Sequence, residues 1–143
     1  MSYLLDVNVL IGLCDPNHSF HEKAWAWFDN KKKIGWATCP ITENGLVRIL
    51  SNPSYPNKMD DLEQAIGLLN KITQVEGHMF IPDDISFTKN EIFIDLQNTN
   101  QKHLTDIYLL GLCIKHKIRF ATFDKKIPST INPEGAKSIE IVG

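Results

Sequence analysis

The stretch Tyr3 to Leu13, YLLDVNVLIGL, constrains this chain more than any other. It is a short apolar run near the N-terminus with a carboxylate and an amide, Asp6 and Asn8, set into it two residues apart. Such a run reads as a buried central strand followed by a helix. Asp is depleted in strands and is seldom fully buried without a partner. Two readings account for an acid at the end of that strand. It caps the helix that follows, or it points into the crevice at the carboxyl edge of a parallel sheet, where α/β proteins hold ligands. The test is whether further acids arrive at the same edge.

The first helix stops near Asp15-Pro16-Asn17. Ser19-Phe20-His21-Glu22 fits a capping box, and Phe20, Ala24, Trp27 and Phe28 then form an apolar stripe at helical spacing. His18 and His21 lie at this helix entry with no third ligand nearby, so they read as structural. Ile34 to Cys39 reads as a second strand, followed at once by a helix with Thr42 as cap, Leu46, Ile49 and Leu50 on one face, and Glu43 in its first turn. The two prolines of Ser51 to Asn57 mark a loop. A helical period returns over residues 58–75 through Leu62, Ile66, Leu69 and Thr73 and ends at Gly77. His78 to Pro82 is a brief edge strand, and Asp83 and Asp84 read as caps on a short helix after it in preference to metal ligands, because the strand is expected at the sheet's edge. Ile92 to Leu96 reads as a weak helix. Leu104 to Lys117 is a largely buried helix with Thr105 as cap and Asp106 in the first turn, where the helix dipole favours negative charge. Ile118 to Thr122 is the next strand, with Asp124 just beyond it, and Ser138 to Val142 the last.

Helical connections of this length pair the strands in parallel. Every strand's carboxyl end and every following helix's start then share one edge. Asp6 and Asp124 end strands, Glu43 and Asp106 begin helices, and all four are expected at that edge. Carboxylates at about 5 Å and an effective dielectric near 20 repel by roughly 3 kcal/mol per pair. Protonation, basic neighbours or a hard cation must relieve this. No Lys or Arg closely flanks Asp6 or Glu43, and oxygen-only ligands suit Mg²⁺ or Mn²⁺ better than zinc.

A net charge of −2 argues against a general cationic coat for nucleic acid, though not against local basic patches. Length, 143 residues, points to a single domain over residues 1–143. Three widely spaced cysteines in apolar surroundings read as reduced core thiols of a cytoplasmic protein. No apolar run approaches the roughly 20 residues of a membrane span, and no signal peptide opens the chain.

YLLDVNVLIGL at the start, TENGLVRIL in the middle and TDIYLLGLCIKHKIRFATFD near the end together resemble a PIN domain. The spacing and the HSFHEKAWAWF helix resemble, more narrowly, the VapC toxins of bacterial toxin–antitoxin pairs. The resemblance spans essentially the whole chain. It implies a three-layer α/β/α sandwich around a parallel sheet of order 3-2-1-4-5. It also implies metal-dependent hydrolysis of RNA phosphodiesters, leaving a 5′-phosphate and a 3′-hydroxyl. Asp6, Glu43, Asp106 and Asp124 match the family's acids as catalytic residues and ligands of Mg²⁺ or Mn²⁺, with Glu43 positioning or deprotonating the water. Asn8 and Thr122 match its supporting polar residues. Lys102, His103, Lys115, Lys125 and Lys126 are candidates to hold the RNA backbone. The implied partners are a small VapB-type antitoxin and a second copy of the chain as a homodimer. Trp25, Trp27, Trp36, Ile49 and Tyr55 are candidates either for such interfaces or for the core.

A receiver-like, Mg²⁺-dependent phospho-acceptor domain is the competing class. It needs a phospho-acceptor Asp ending a mid-chain strand and a Lys ending a late one, whereas these strands end in Pro82-Asp83 and Thr122-Phe123-Asp124. A PIN nuclease with a housekeeping role in RNA processing is a further alternative. A purely protein-binding domain leaves the acids unexplained.

Overall fold

The N-terminal run does what its pattern demands. Tyr3–Leu5 forms strand β1, buried throughout, and Asp6 closes it. A computed structural model describes residues 1–57, 59 and 61–143. Its elements are β1, helix α1 (Val7–Cys14), α2 (His21–Lys31), β2 (Trp36–Thr38), α3 (Pro40–Leu50), α4 (Leu62–Ile72), β3 (His78–Phe80), α5 (Leu104–His116), β4 (Arg119–Thr122) and β5 (Ile139–Ile141). The strands form one sheet of order β3-β2-β1-β4-β5, parallel throughout. β1 therefore lies at the centre, between β2 and β4, where chain order reverses.

The two-residue alternation of strand side chains divides the core into two layers. Tyr3, Leu5, Trp36 and Ala121 join Phe28, Leu46 and Leu50 on the face covered by α1 to α4. Leu4, Ala37 and Phe120 face the opposite way, onto Leu109, Leu112 and Cys113 of α5. Helix α3 closes tightly on α1 at Gly45, where a Cβ would come within 2.7 Å of Val7 Cγ2. No helix among the described residues is long and apolar enough to cross a membrane.

Several sequence expectations are corrected. The Ser19 capping box does not form: α2 begins at His21, with Phe20 at the N-cap position and half-exposed, because His18 Nδ1 accepts the Phe20 N–H and holds the entry open. Thr42 is not the α3 cap; it lies one turn inside and reaches back to the Cys39 N–H at 3.0 Å. Thr105 is likewise inside α5, which follows a 3₁₀ turn, Gln101–His103, started by the Asn100 side chain. No helix forms over 92–96 or directly after Asp83-Asp84, and the segment runs as turns. Asp84 instead pairs with Lys115 and His116.

The expected span 58–75 yields a shorter helix capped by Asp61; Lys58 and Asp60 lie outside the described residues. The first half of its apolar stripe faces outward, while Leu69 packs against the core. Leu62 and Ile66 are more than half exposed, while Ala65 and Ile72 are buried. Trp36 is buried in the core, and Trp25, Trp27, Ile49 and Tyr55 pack against it half-buried.

Candidate active site

Asp6 is both of the things its position allows. Its Oδ1 accepts the Val7 N–H at 2.7 Å as the α1 cap, and its carboxylate lines a crevice at the carboxyl edge of the sheet. Oδ2 accepts the Thr122 hydroxyl at 2.7 Å. That hydroxyl in turn accepts the Asp124 N–H at 3.0 Å, so one buried threonine ties the end of β1 to the turn after β4. The crevice is about 560 Å³ and is also lined by Asn8, Asn44, Gly45, Arg48, Asp83, Thr105 and Asp106.

The carboxylates sense one another. Asp6 is only 5% exposed, and its pKa is pushed up to about 6. Burial is the main cause; the charges of Asp106 and Asp124 add to it, against the hydrogen bonds from Thr122 and Val7. Asp106 is also raised, first by burial and then by Asp124, with His103 opposing. Asp124 Oδ1 accepts the Lys126 N–H at 2.8 Å, which orders the turn carrying it. Asp6, Asp106 and Asp124 thus form one electrostatic group, with Asn8 and Thr122 beside it.

Glu43 is not brought into this group. Pro40, Ile41, Asn44, Gly45, Arg48 and Ile49 are the α3 residues that line the crevice. Glu43 is not among them and lies about 100° around the helix from Asn44. Its Oε2 accepts the Thr38 hydroxyl at 2.6 Å, and its side chain lines a separate cavity of about 400 Å³ with Ile66, Leu69, Asn70, His78 and Phe80. The Thr38 oxygen also lies 2.7 Å from His78 Nε2. The His78 pKa is lowered by burial, with Glu43 opposing.

Asp83 lines the crevice as well, a carboxylate outside the expected quartet. Its Oδ1 is buried and has no hydrogen-bond partner among the described residues. Burial, with the Asp83 carboxylate adding, lifts the neighbouring Cys39 thiol to about 11 against hydrogen bonds from Thr42. The signal for Asp83 was its place just beyond β3, the same rule that located Asp6 and Asp124. Of the basic candidates, none lines the crevice, and Lys115 is held by Asp84. Arg48 was not among them.

The donor set fits a hard divalent cation. Carboxylate, amide and hydroxyl oxygens line the crevice with Asp6, and Arg48 is the cation among the described residues there; the raised Asp6 and Asp106 are the acids a bound cation would relieve. Among the described residues no three His, Cys, Asp or Glu side chains are gathered closely enough to enclose an ion. Mg²⁺ does not require that, since it keeps several waters and takes one or two carboxylates directly.

Comparison with known proteins follows this geometry. The family model described as PIN domain matches residues 3–131. Ribonuclease VapC44 of Mycobacterium tuberculosis is 40% identical over 137 residues, covering 96% of each chain. Ribonuclease VapC39 of the same organism is 41% identical over 124 residues, 87% of this chain and 89% of the relative. Among solved structures, VapBC2 from Rickettsia felis bound to a DNA fragment from its promoter superposes with a TM-score of 0.62. It covers 99% of this chain and 98% of that one at 15% identity, which is a likeness of fold.

Proposed function

This chain belongs to the PIN domain family, and from that premise we propose that it is a ribonuclease, the toxin of a VapC-type toxin–antitoxin pair, hydrolysing RNA phosphodiesters in the Asp6 crevice. The observation that carries the reading is the joint one: relatives named as VapC ribonucleases match along nearly the whole chain, and three of the four acids that the family resemblance singles out, Asp6, Asp106 and Asp124, sense one another's charge at the switch point of the sheet.

In this reading Asp6, Asp106 and Asp124 hold Mg²⁺ or Mn²⁺ directly or through water. A bound cation supplies water activation near neutral pH and charge neutralisation at the phosphate. Thr122 fixes one oxygen of Asp6 and the Val7 N–H fixes the other. The carboxylate plane is thereby set, and each oxygen keeps acceptor capacity beyond that one bond. Asn8, exposed on the first turn of α1, supplies an amide at the rim. Glu43, hydrogen-bonded to Thr38, lines the neighbouring cavity and is assigned no ligand position in this reading.

The implied partner is a small VapB-type antitoxin, with the toxin itself a homodimer in the cytoplasm. The half-exposed apolar side chains Leu62 and Ile66 on α4 and Met79 and Phe80 on β3 are surface that a partner would cover. The test is cleavage of a single-stranded RNA by the purified protein with Mn²⁺, with EDTA, and after mixing with the product of an adjacent small reading frame. EDTA and the antitoxin should each abolish cleavage. Cleavage that survives EDTA would remove the metal mechanism. An active complex would leave a PIN nuclease with another role.

A further inference from the structure

The crevice has two unlike kinds of lining. Asp6, Asp83 and Asp106 line it with carboxylates, and α3 presents Asn44 and Arg48 to the same space, one helical turn apart. Side chains at i and i+4 are neighbours on a helix surface. Arg48 is the one Lys or Arg among the described residues that line this cavity. It is exposed and makes no side-chain hydrogen bond or ion pair among the described residues, although carboxylates line the same cavity. By contrast, Lys115 and His116 are both occupied by Asp84. A cation in the last turn of α3 would favour the helix dipole wherever it pointed. That effect does not require a place in the crevice, and it leaves the guanidinium's donors unused.

A polyanion entering a cavity lined by carboxylates is repelled unless a donor in the same lining receives it. A guanidinium matches two oxygens of one phosphate with parallel N–H groups. We propose that Arg48 anchors an RNA backbone phosphate beside the one that is cleaved, with the Asn44 amide donating next to it, so that the α3 face positions the strand against Asp6 and Asp106. Arg48 is on this account a substrate-positioning residue. The inference rests on the ribonuclease reading above and adds the residue that receives the backbone. Gly45 belongs to the same face: lacking a side chain, it lets α3 close on Val7 and keeps Arg48 at the rim of the crevice.

The experiment measures binding and cleavage of one single-stranded RNA oligonucleotide by wild type, Arg48→Ala and Arg48→Lys at several KCl concentrations. Binding is read by anisotropy in an Asp6→Asn background, cleavage with Mn²⁺ in the parent. Arg48→Ala should weaken binding about tenfold and raise KM similarly, with kcat changed little. The slope of log K against log salt should fall in magnitude by about 0.7, the loss of one phosphate contact on a single strand. Arg48→Lys should recover the slope but only part of the affinity, since an ammonium is not bidentate. The melting-temperature rise on adding Mn²⁺ should be unchanged in both variants. An unaltered salt slope in Arg48→Ala overturns the inference. So does an enlarged Mn²⁺ shift, which would make Arg48 a counter-charge to the acids. A wild type that cleaves RNA while Arg48→Ala is indistinguishable from it defeats this inference alone. A wild type that neither binds nor cleaves RNA defeats the ribonuclease reading with it.

Discussion

Helix α1 is bracketed by two buried aspartates, Asp6 at its N-cap and Asp15 at its C-cap, each 5% exposed. The helix dipole favours negative charge at the first and opposes it at the second. The pKa directions run the other way. Asp6 is raised to about 6 by burial, with Asp106 and Asp124 adding to it. Asp15, though burial pushes it up too, is held below the ordinary carboxylate value by hydrogen bonds from Tyr55, Asn57 and the Asn17 N–H and by the nearby His18. The dipole is worth about 0.3–1 kcal/mol, less than what surrounds each carboxylate. Asp15 is satisfied: the Tyr55 hydroxyl and the Asn57 amide both donate to Oδ2 and fasten the 51–57 loop to the end of α1. Asp6 has only two donors against two like charges and opens onto a crevice. A carboxylate that only holds a fold together is surrounded by donors, and one that handles a ligand is left short of them.

The contrast breaks most visibly in activity. Asp6→Asn keeps the cap and the size of the side chain while removing the charge. It should lower RNA cleavage by at least about 100-fold, which is roughly 3 kcal/mol of transition-state stabilisation, without lowering the melting temperature in EDTA. Asp15→Asn should leave kcat per folded molecule unchanged. Full cleavage by Asp6→Asn would remove the site.

Stability reverses the order. Asp15→Ala strands the Tyr55 hydroxyl and frees the 51–57 loop, and should cost about 3 kcal/mol in a urea titration. A loss below about 1 kcal/mol would mean that the Asp15 network is not what holds the loop.

The two acids should also oppose each other in pH dependence. Because the folded-state pKa of Asp6 is raised, its contribution is complete below pH 3.8 and is lost as pH rises through about 6. The metal-free protein should lose on the order of 2 kcal/mol over that window, and Asp6→Asn should not. Asp15, with a lowered pKa, contributes above the ordinary carboxylate value and loses its share only on further acidification. Chemical denaturation in EDTA between pH 4 and 7.5 compares the three proteins.

Glu43 gives the smallest effect. Glu43→Gln should change cleavage by no more than about threefold, under about 1 kcal/mol, because the side chain faces Thr38 and His78. A loss matching that of Asp6→Asn would place Glu43 back in the crevice.

This pair of acids also marks where the chain could be read and where it could not. Asp6 was legible because a carboxylate at the end of an apolar strand has few explanations, and parallel topology alone carries Asp106 and Asp124 to the same edge. The sheet order followed from the family resemblance and matches the structure. For Glu43, edge position is only half of the address. A helix start at the right edge presents only some of its residues to the crevice, and Asn44 and Arg48 line it while Glu43 lines the cavity beside His78. Asp83 was missed because Asp after a strand is so often a cap, and here no helix follows. The outward stripe of α4 was invisible for a related reason. Periodicity locates an apolar face but not what it packs against, and Ala65 and Ile72, not Leu62 and Ile66, meet the core.

The central claim is that Asp6 is kept short of partners because a cation completes it. Melting temperatures with and without saturating Mn²⁺ test this most directly, for wild type, Asp6→Asn and Asp15→Asn in one buffer at pH 7.5. Binding at 100 times Kd stabilises by about 2.7 kcal/mol. Wild type and Asp15→Asn should therefore rise by the same amount, while Asp6→Asn should hardly move. An Asp6→Asn protein that gains as much from Mn²⁺ as the wild type would contradict the account.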